Sequence, residues 1–210
     1  IEIISSETRK EKIKNFFLSN KKILIIILIF LILISFGFFS YQIYLENQRK
    51  SIAHDYNRAI IEFQNGDQSK VKLIMKDIIK DKDRTYSPLA FYFLFDNDLI
   101  NSNEETNIYF DILINETDLE KENKNLIIFK KGLFNSDFVN ENELLGILNP
   151  VINSESAWKP HALYLMAEFY LSKNEKLKSK EFFNTLVNLE NISPKIKLEA
   201  QKRLRSDFSE

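Results

Sequence analysis

Few residues in this chain could do chemistry, and they stand far apart. His54 and His161 are the only two histidines among 210 residues, and there is no cysteine. A zinc-type site needs three or four nitrogen, sulfur or oxygen ligands at short spacings. Neither histidine has a second histidine at such a spacing, so each is expected on a surface or in a groove. Asp96-Asn97-Asp98 resembles the opening of a calcium loop. The glycine and the distal glutamate that would bend and close such a loop are missing, so the triplet is expected to be a solvated helix end. Gly37, Gly66, Gly132 and Gly146 are too scattered to cradle a phosphate, and no serine lies in a G-x-S-x-G elbow. Asn115-Glu116-Thr117 and Asn191-Ile192-Ser193 are formal glycosylation sequons, which matter only in a glycosylating compartment. The expectation is a protein that is not an enzyme, with no catalytic, cofactor-binding or metal-binding residues.

The residues around His161 are packing residues. Pro160 fits the first turn of a helix, because proline has no N–H to donate and its φ is already helical. Trp158 is expected just before the cap, with Leu163 where a staple residue packs against it. Leu163, Met166, Ala167 and Tyr170 then recur at spacings of three and four, which gathers them on one helical face. Ser172-Lys173-Asn174-Glu175 is a polar turn, after which Leu177, Phe182, Phe183, Leu186 and Val187 form a second apolar stripe. The pattern predicts an antiparallel helical hairpin.

A hairpin cannot bury its own stripe, so the unit is expected to recur. Tyr86-Ser87-Pro88 and Ile192-Ser193-Pro194 repeat the apolar, capping and proline order of Trp158-Lys159-Pro160. From Pro160 to Pro194 is 34 residues, the period of tetratricopeptide repeats (TPR), and from Pro88 to Pro160 is 72. Further pairs are predicted around the Asn65-Gly66-Asp67 turn, from Leu89 to Phe95 with Ile108 to Leu113, and from Leu126 to Phe134 with a short helix from Glu143 to Leu148 that stops at Asn149-Pro150. About four hairpins would stack into a short solenoid with a continuous core. The first helix of each pair would line a concave groove, contributed in the last unit by His161, Tyr164, Glu168 and Leu171.

Residues 23–41 carry no charge over nineteen positions, about the length needed to cross the hydrocarbon core of a bilayer. The run exceeds the apolar core of a signal peptide and no A-x-A-like site follows it. Arg9, Lys10, Lys12, Lys14, Lys21 and Lys22 precede it, and by the positive-inside rule the tail is expected to stay in the cytoplasm. The predicted organisation is a cytoplasmic basic tail (1–22), a transmembrane helix (23–44) held in the lipid bilayer, and an exported domain (45–210). Residues 46–210 hold 23 basic and 27 acidic side chains, a balance that does not recommend nucleic acid as a partner. Four glycines and few strand-like alternations make the fold class all-α, a single N-terminal transmembrane helix followed by a TPR-like α-hairpin solenoid.

Trp158-Lys159-Pro160 with Ala162, the stretch from Ala167 to Asn174, and the closing segment from Ser193-Pro194 through Leu204 resemble the YfgM-like proteins of Gram-negative bacteria. The order of tail, span and repeats agrees as well. The resemblance implies a single-pass inner-membrane protein whose periplasmic repeats associate with the Sec translocon and a membrane-anchored periplasmic chaperone of the prolyl-isomerase type. Val71, Thr106 and Ser179 depart from the alanine expected where paired helices cross, which questions how closely those pairs pack. The competing expectation is a structural adaptor in another envelope complex, such as outer-membrane biogenesis or division machinery.

Overall fold

The computed structural model describes residues 2–208, with side chains from Lys10 onward. Ile1 of the predicted tail, the last two residues of the predicted 45–210 domain and the Arg9 side chain lie outside the described residues. The described residues are all-α, without a strand: α1 (Glu2–Ser19), α2 (Lys21–Gln64), α3 (Gln68–Lys80), α4 (Tyr86–Asp96), α5 (Asn103–Asn115), α6 (Lys121–Asn135), α7 (Glu141–Ile152), α8 (Lys159–Ser172), α9 (Lys176–Val187) and α10 (Pro194–Ser206). They form two compact units, residues Ile1–His54 and Asp55–Glu210, with α2 contributing to both.

In the first unit α1 and α2 meet at Asn20, whose carbonyl accepts from the Leu24 N–H at 3.0 Å, so the backbone ladder continues across it. The Phe16 carbonyl accepts from the Asn20 N–H at 3.0 Å, from Asn20 Nδ2 at 3.0 Å and from Ser19 Oγ at 3.2 Å. Beyond it α2 is long and apolar enough to cross a membrane, and none of its apolar window is buried within the structure.

In the second unit each helix from α3 onward packs on its neighbour in sequence, and α3 also meets α5, α6 meets α8, and α8 meets α10. The turns between them follow local chemistry. Gly66, at φ +87°, makes the left-handed step after α2, and Asp67 caps α3 by accepting from Lys70 N–H at 3.0 Å. The Asp96-Asn97-Asp98 triplet is a helix end: Asp98 turns left-handed, Leu99 N–H reaches back to the Leu94 carbonyl at 2.8 Å, and the Leu99 side chain is buried.

The three predicted proline starts are all used, with shifts of detail. α8 begins at Lys159, one residue earlier than Pro160 suggested, so Trp158 itself occupies the cap position. Ser87 does not cap α4. It is buried and donates to the Ile78 carbonyl at 2.7 Å, while Asp83 accepts from the N–H groups of Thr85 and Tyr86 at 2.8 and 2.7 Å. The helix expected to stop at Asn149-Pro150 continues to Ile152 with Pro150 inside it. Pro150 is exposed and removes one backbone bond near the helix end, whereas Val151 is fully buried in the core, so packing outweighs the missing bond.

Close approach of paired helices occurs where one carries a very small side chain. Ser179 on α9 donates to the Ala167 carbonyl on α8 at 2.8 Å, so serine there permits contact where alanine was expected. Ser87 makes the matching contact between α4 and α3. Gly132 on α6 lies against α7 so tightly that a methyl group there would sit 2.4 Å from Leu148 Cδ2. The meeting of α4 and α5 is built from rings instead, with Phe91 and Phe110 centroids 4.8 Å apart and Phe91 and Tyr109 6.2 Å apart. Thr106 turns its hydroxyl to its own helix, donating to the Ser102 carbonyl at 3.1 Å, and Val71 is fully buried. From α6 to α10 the interior is continuous. Ile128, Leu144, Leu148, Val151 and Met166 form one cluster, Leu163, Ala167, Phe183, Leu186 and Ala200 the next, and Ile152 and Phe182 pack against both.

A polar clamp ties α3 to α5. Glu105 accepts from Tyr109 Oη at 2.7 Å and from Asn101 N–H at 3.2 Å, and pairs with Lys76 across the helices. Burial alone would raise its carboxyl, but the hydrogen bonds from Lys76 and Tyr109 outweigh burial and hold the group at about 2, against an ordinary 4.5. Because the folded value is depressed, the stabilisation is complete above about pH 4.5 and is lost as pH falls toward 2.

Two outcomes are expected in urea unfolding of the 45–210 segment. Gly132→Ala should destabilise it by about 1–3 kcal/mol, since the fully buried Leu148 has little room to retreat. Gly146→Ala, with nothing within 4 Å, should instead stabilise it by about 0.5–1 kcal/mol. In acid titrations of stability, Glu105→Gln should flatten the limb between pH 4.5 and 2 and remove about 1–3 kcal/mol at neutral pH. An unchanged acid limb would refute the clamp.

Candidate functional site

The spacing that buries one face of α8 sets its other face. Leu163, Met166, Ala167 and Tyr170 point into the core, which leaves His161, Tyr164, Leu165 and Glu168 along the opposite side at spacings of three, one and three. α8 packs between α6 and α10, and the three helices enclose a cavity of about 320 Å³. Phe129 and Leu133 come from α6, the four residues of α8 form its floor, and Ile196 and Glu199 close it from α10. Three of the four residues expected in a groove, His161, Tyr164 and Glu168, therefore line one cavity. Leu171, nearly a turn beyond Glu168, is half-buried and does not line it.

Aromatic packing holds one end of the cavity. Trp158 stacks on Phe129 with centroids 5.8 Å apart and planes 17° apart, and the His161 ring lies 5.2 Å from Trp158 and 5.7 Å from Phe129. His161 Nδ1 is buried with no hydrogen-bond partner in the structure. An ion pair holds the other end, where the Arg203 guanidinium of α10 grips Glu168 with Nη2 2.8 Å from Oε2 and Nε 2.8 Å from Oε1. Tyr164 sits beside this pair, and burial is the main cause that pushes its phenol above the ordinary value. Glu199 is exposed and adds a negative charge at the rim.

Lys130 on α6 places its ammonium 3.9 Å above the Tyr92 ring on α4, and burial pushes the Tyr92 phenol well up. A second cavity, of about 500 Å³, lies elsewhere on the unit, among α5, α6 and α7. Asn107, Asp111, Lys131, Glu143 and Gly146 are among its lining, with Lys131 paired to Asp111 at 2.7 Å. The sequence reading missed this cavity and the contributions of Phe129, Leu133 and Ile196 to the first. The signal for Phe129 and Leu133 was their spacing of four on a helix whose inner face, Ile128 and Gly132, runs one residue out of step.

The first cavity is lined mainly by apolar and aromatic side chains. No three His, Cys, Asp or Glu residues among the described ones converge where they could hold a metal ion. Glu168 is engaged by Arg203, and His161 is wedged between the Trp158 and Phe129 rings. What the chain presents is an all-α protein with one helix able by length and composition to span a membrane, and a helical unit carrying an apolar cavity. Compared with protein-family models, with curated proteins and with solved structures, the chain shows no significant similarity to any of them.

Trp158 occupies the cap position of α8 and stacks on Phe129, which lines the cavity, so its removal tests the arrangement. Trp158→Ala is expected to cost about 2–3 kcal/mol, less than a fully buried ring because the indole is half-exposed, and Trp158→Phe less than half of that. Unfolding followed by circular dichroism checks this, and a melt of Trp158→Ala unchanged within error would contradict the stack.

Proposed function

We propose that this protein is a membrane-tethered interaction scaffold: residues 23–44 span a bilayer once, with the N-terminus cytoplasmic, and residues 45–210 form a TPR-like α-hairpin solenoid that binds protein segments in the periplasm. The observation that carries the reading is the apolar cavity shared by α6, α8 and α10. In stacked hairpins, first helices line a common surface, and alternate helices contributing to one cavity is what that geometry requires. A cavity of this size, walled by Phe129, Leu133, Leu165 and Ile196, suits one or two apolar side chains of an extended or helical peptide rather than a polar metabolite.

The resemblance to the YfgM-like proteins, carried by the Trp158-Lys159-Pro160 and Ser193-Pro194 segments, makes the proposed setting the inner membrane beside the Sec translocon, with a membrane-anchored chaperone as partner and exported chains as clients. Tethering adds to affinity there, because confinement at the membrane raises the effective concentration of a partner held in the same plane. The second reading, an adaptor within an outer-membrane biogenesis or division complex, is favoured by the separate cavity on α5, α6 and α7, since an adaptor needs two docking faces.

A photo-crosslinking side chain placed at Ile196, inside the cavity, and at Leu177, which is exposed and outside it, separates the possibilities. Translocon or chaperone subunits crosslinked from Ile196 and not from Leu177 support the scaffold. Division or outer-membrane components support the adaptor, and equal labelling from both positions would sink the cavity as the binding site. Two arginines inserted near Leu28 should abolish membrane fractionation or block export. Unaltered fractionation would contradict the span.

A further inference from the structure

The segment just before the long apolar helix has a composition that the span does not require. Residues 9–22 hold six basic side chains, Arg9, Lys10, Lys12, Lys14, Lys21 and Lys22, and a single acid, Glu11. The last part of α1 also carries large apolar residues with no cover: Ile13, Phe16, Phe17 and Leu18 are each 57–62 % exposed. Ile13, Phe16 and Phe17 are spaced by three and four, so they share one face, while Asn15 falls on the opposite face and Lys10 and Lys14 flank the apolar strip.

We infer that the C-terminal part of α1 lies in the headgroup region of a bilayer rich in anionic lipid, with Ile13, Phe16 and Phe17 toward the acyl chains and the lysines on lipid phosphates. The inference rests on the reading of α2 as a membrane span, which brings this segment to a bilayer surface by covalent continuity. Apolar side chains at an interface bind in proportion to their buried area, and flanking lysines add electrostatic attraction that requires a negative surface. Asn20, the residue between α1 and α2, is the point at which the segment can leave the direction of the span. The Asn20 and Ser19 side chains both crowd onto the Phe16 carbonyl, and such back-bonding loosens and bends a helix. Either face of a membrane serves, so the inference does not depend on orientation.

The absence of cysteine gives clean single-site labels. Full-length chains carrying one nitroxide at Ile13→Cys, Asn15→Cys or Leu28→Cys are reconstituted into phosphatidylcholine vesicles with and without about one-third phosphatidylglycerol. Accessibility to oxygen and to a water-soluble relaxing agent is then read. In anionic vesicles the label at 13 should become several-fold more accessible to oxygen relative to the aqueous agent, and the label at 15 should stay aqueous. The change at 13 should vanish in half-molar salt and in the Lys10→Glu, Lys12→Glu, Lys14→Glu variant. A label at 13 that stays aqueous in every vesicle, or enters lipid equally with and without the anionic component, overturns the inference while the label at 28 remains in lipid. A label at 28 accessible to the aqueous agent overturns the span itself, and this inference with it.

Discussion

Two helices can approach closely only where one of them has almost no side chain, and three such places organise the folded unit. At Ser87 and Ser179 the side chain is small enough to allow contact and polar enough to bond the carbonyl of the facing helix, at 2.7 and 2.8 Å. Gly132 has no side chain, and the Leu148 side chain of the facing helix occupies the space a methyl group would need. These contacts fix α3 on α4, α6 on α7 and α8 on α9. The apolar stripes between them then meet at predetermined heights, which is why one interior runs from Ile128 to Ala200.

The cavity follows from that packing. Once Leu163, Met166, Ala167 and Tyr170 are committed to the interior, the helix period sends His161, Tyr164, Leu165 and Glu168 to the other side of α8. With α6 and α10 both against α8, the residues they turn to the same side, Phe129, Leu133, Ile196 and Glu199, complete the walls. Trp158 and Arg203 then act as end-stops, one by stacking on Phe129 and the other by gripping Glu168. Both join neighbouring elements across the cavity, so its shape is held by the same contacts that stabilise the last three helices.

Much of this was legible from spacing, and what was not has identifiable causes. The all-α class, the turn at Gly66, the hairpin of α8 and α9, and three of the four cavity residues on α8 follow from periodicity and from where proline and glycine can sit. Pro150 misled because local propensity says stop, while the buried Val151 just after it says continue, and burial decided. Ser87 misled for a related reason: a serine before proline reads as a cap, but its neighbour across the helix pair offered a carbonyl and the buried hydroxyl took it. The walls of the cavity on α6 and α10 were hidden because which helices lie side by side is a tertiary fact, absent from any one helix.

The two units answer the same physical demand in different ways. An amphipathic helix such as α3 turns one face, Val71, Met75, Ile78 and Ile79, inward and leaves the other largely for water, so helices of its own chain can satisfy it. The apolar window of α2 has no polar face to turn outward, and Ile26, Phe30, Leu33, Phe36 and Phe39 are each more than half exposed. A patch of that extent left in water would drive association, since soluble chains rarely expose more than a few hundred Å² of contiguous apolar surface. Covering it with protein would take a ring of equally apolar helices, and the described residues contain only one helix of that kind. A hydrocarbon solvent covers every face at once and leaves no backbone group unsatisfied in a helix, so a bilayer is the environment this segment's composition matches.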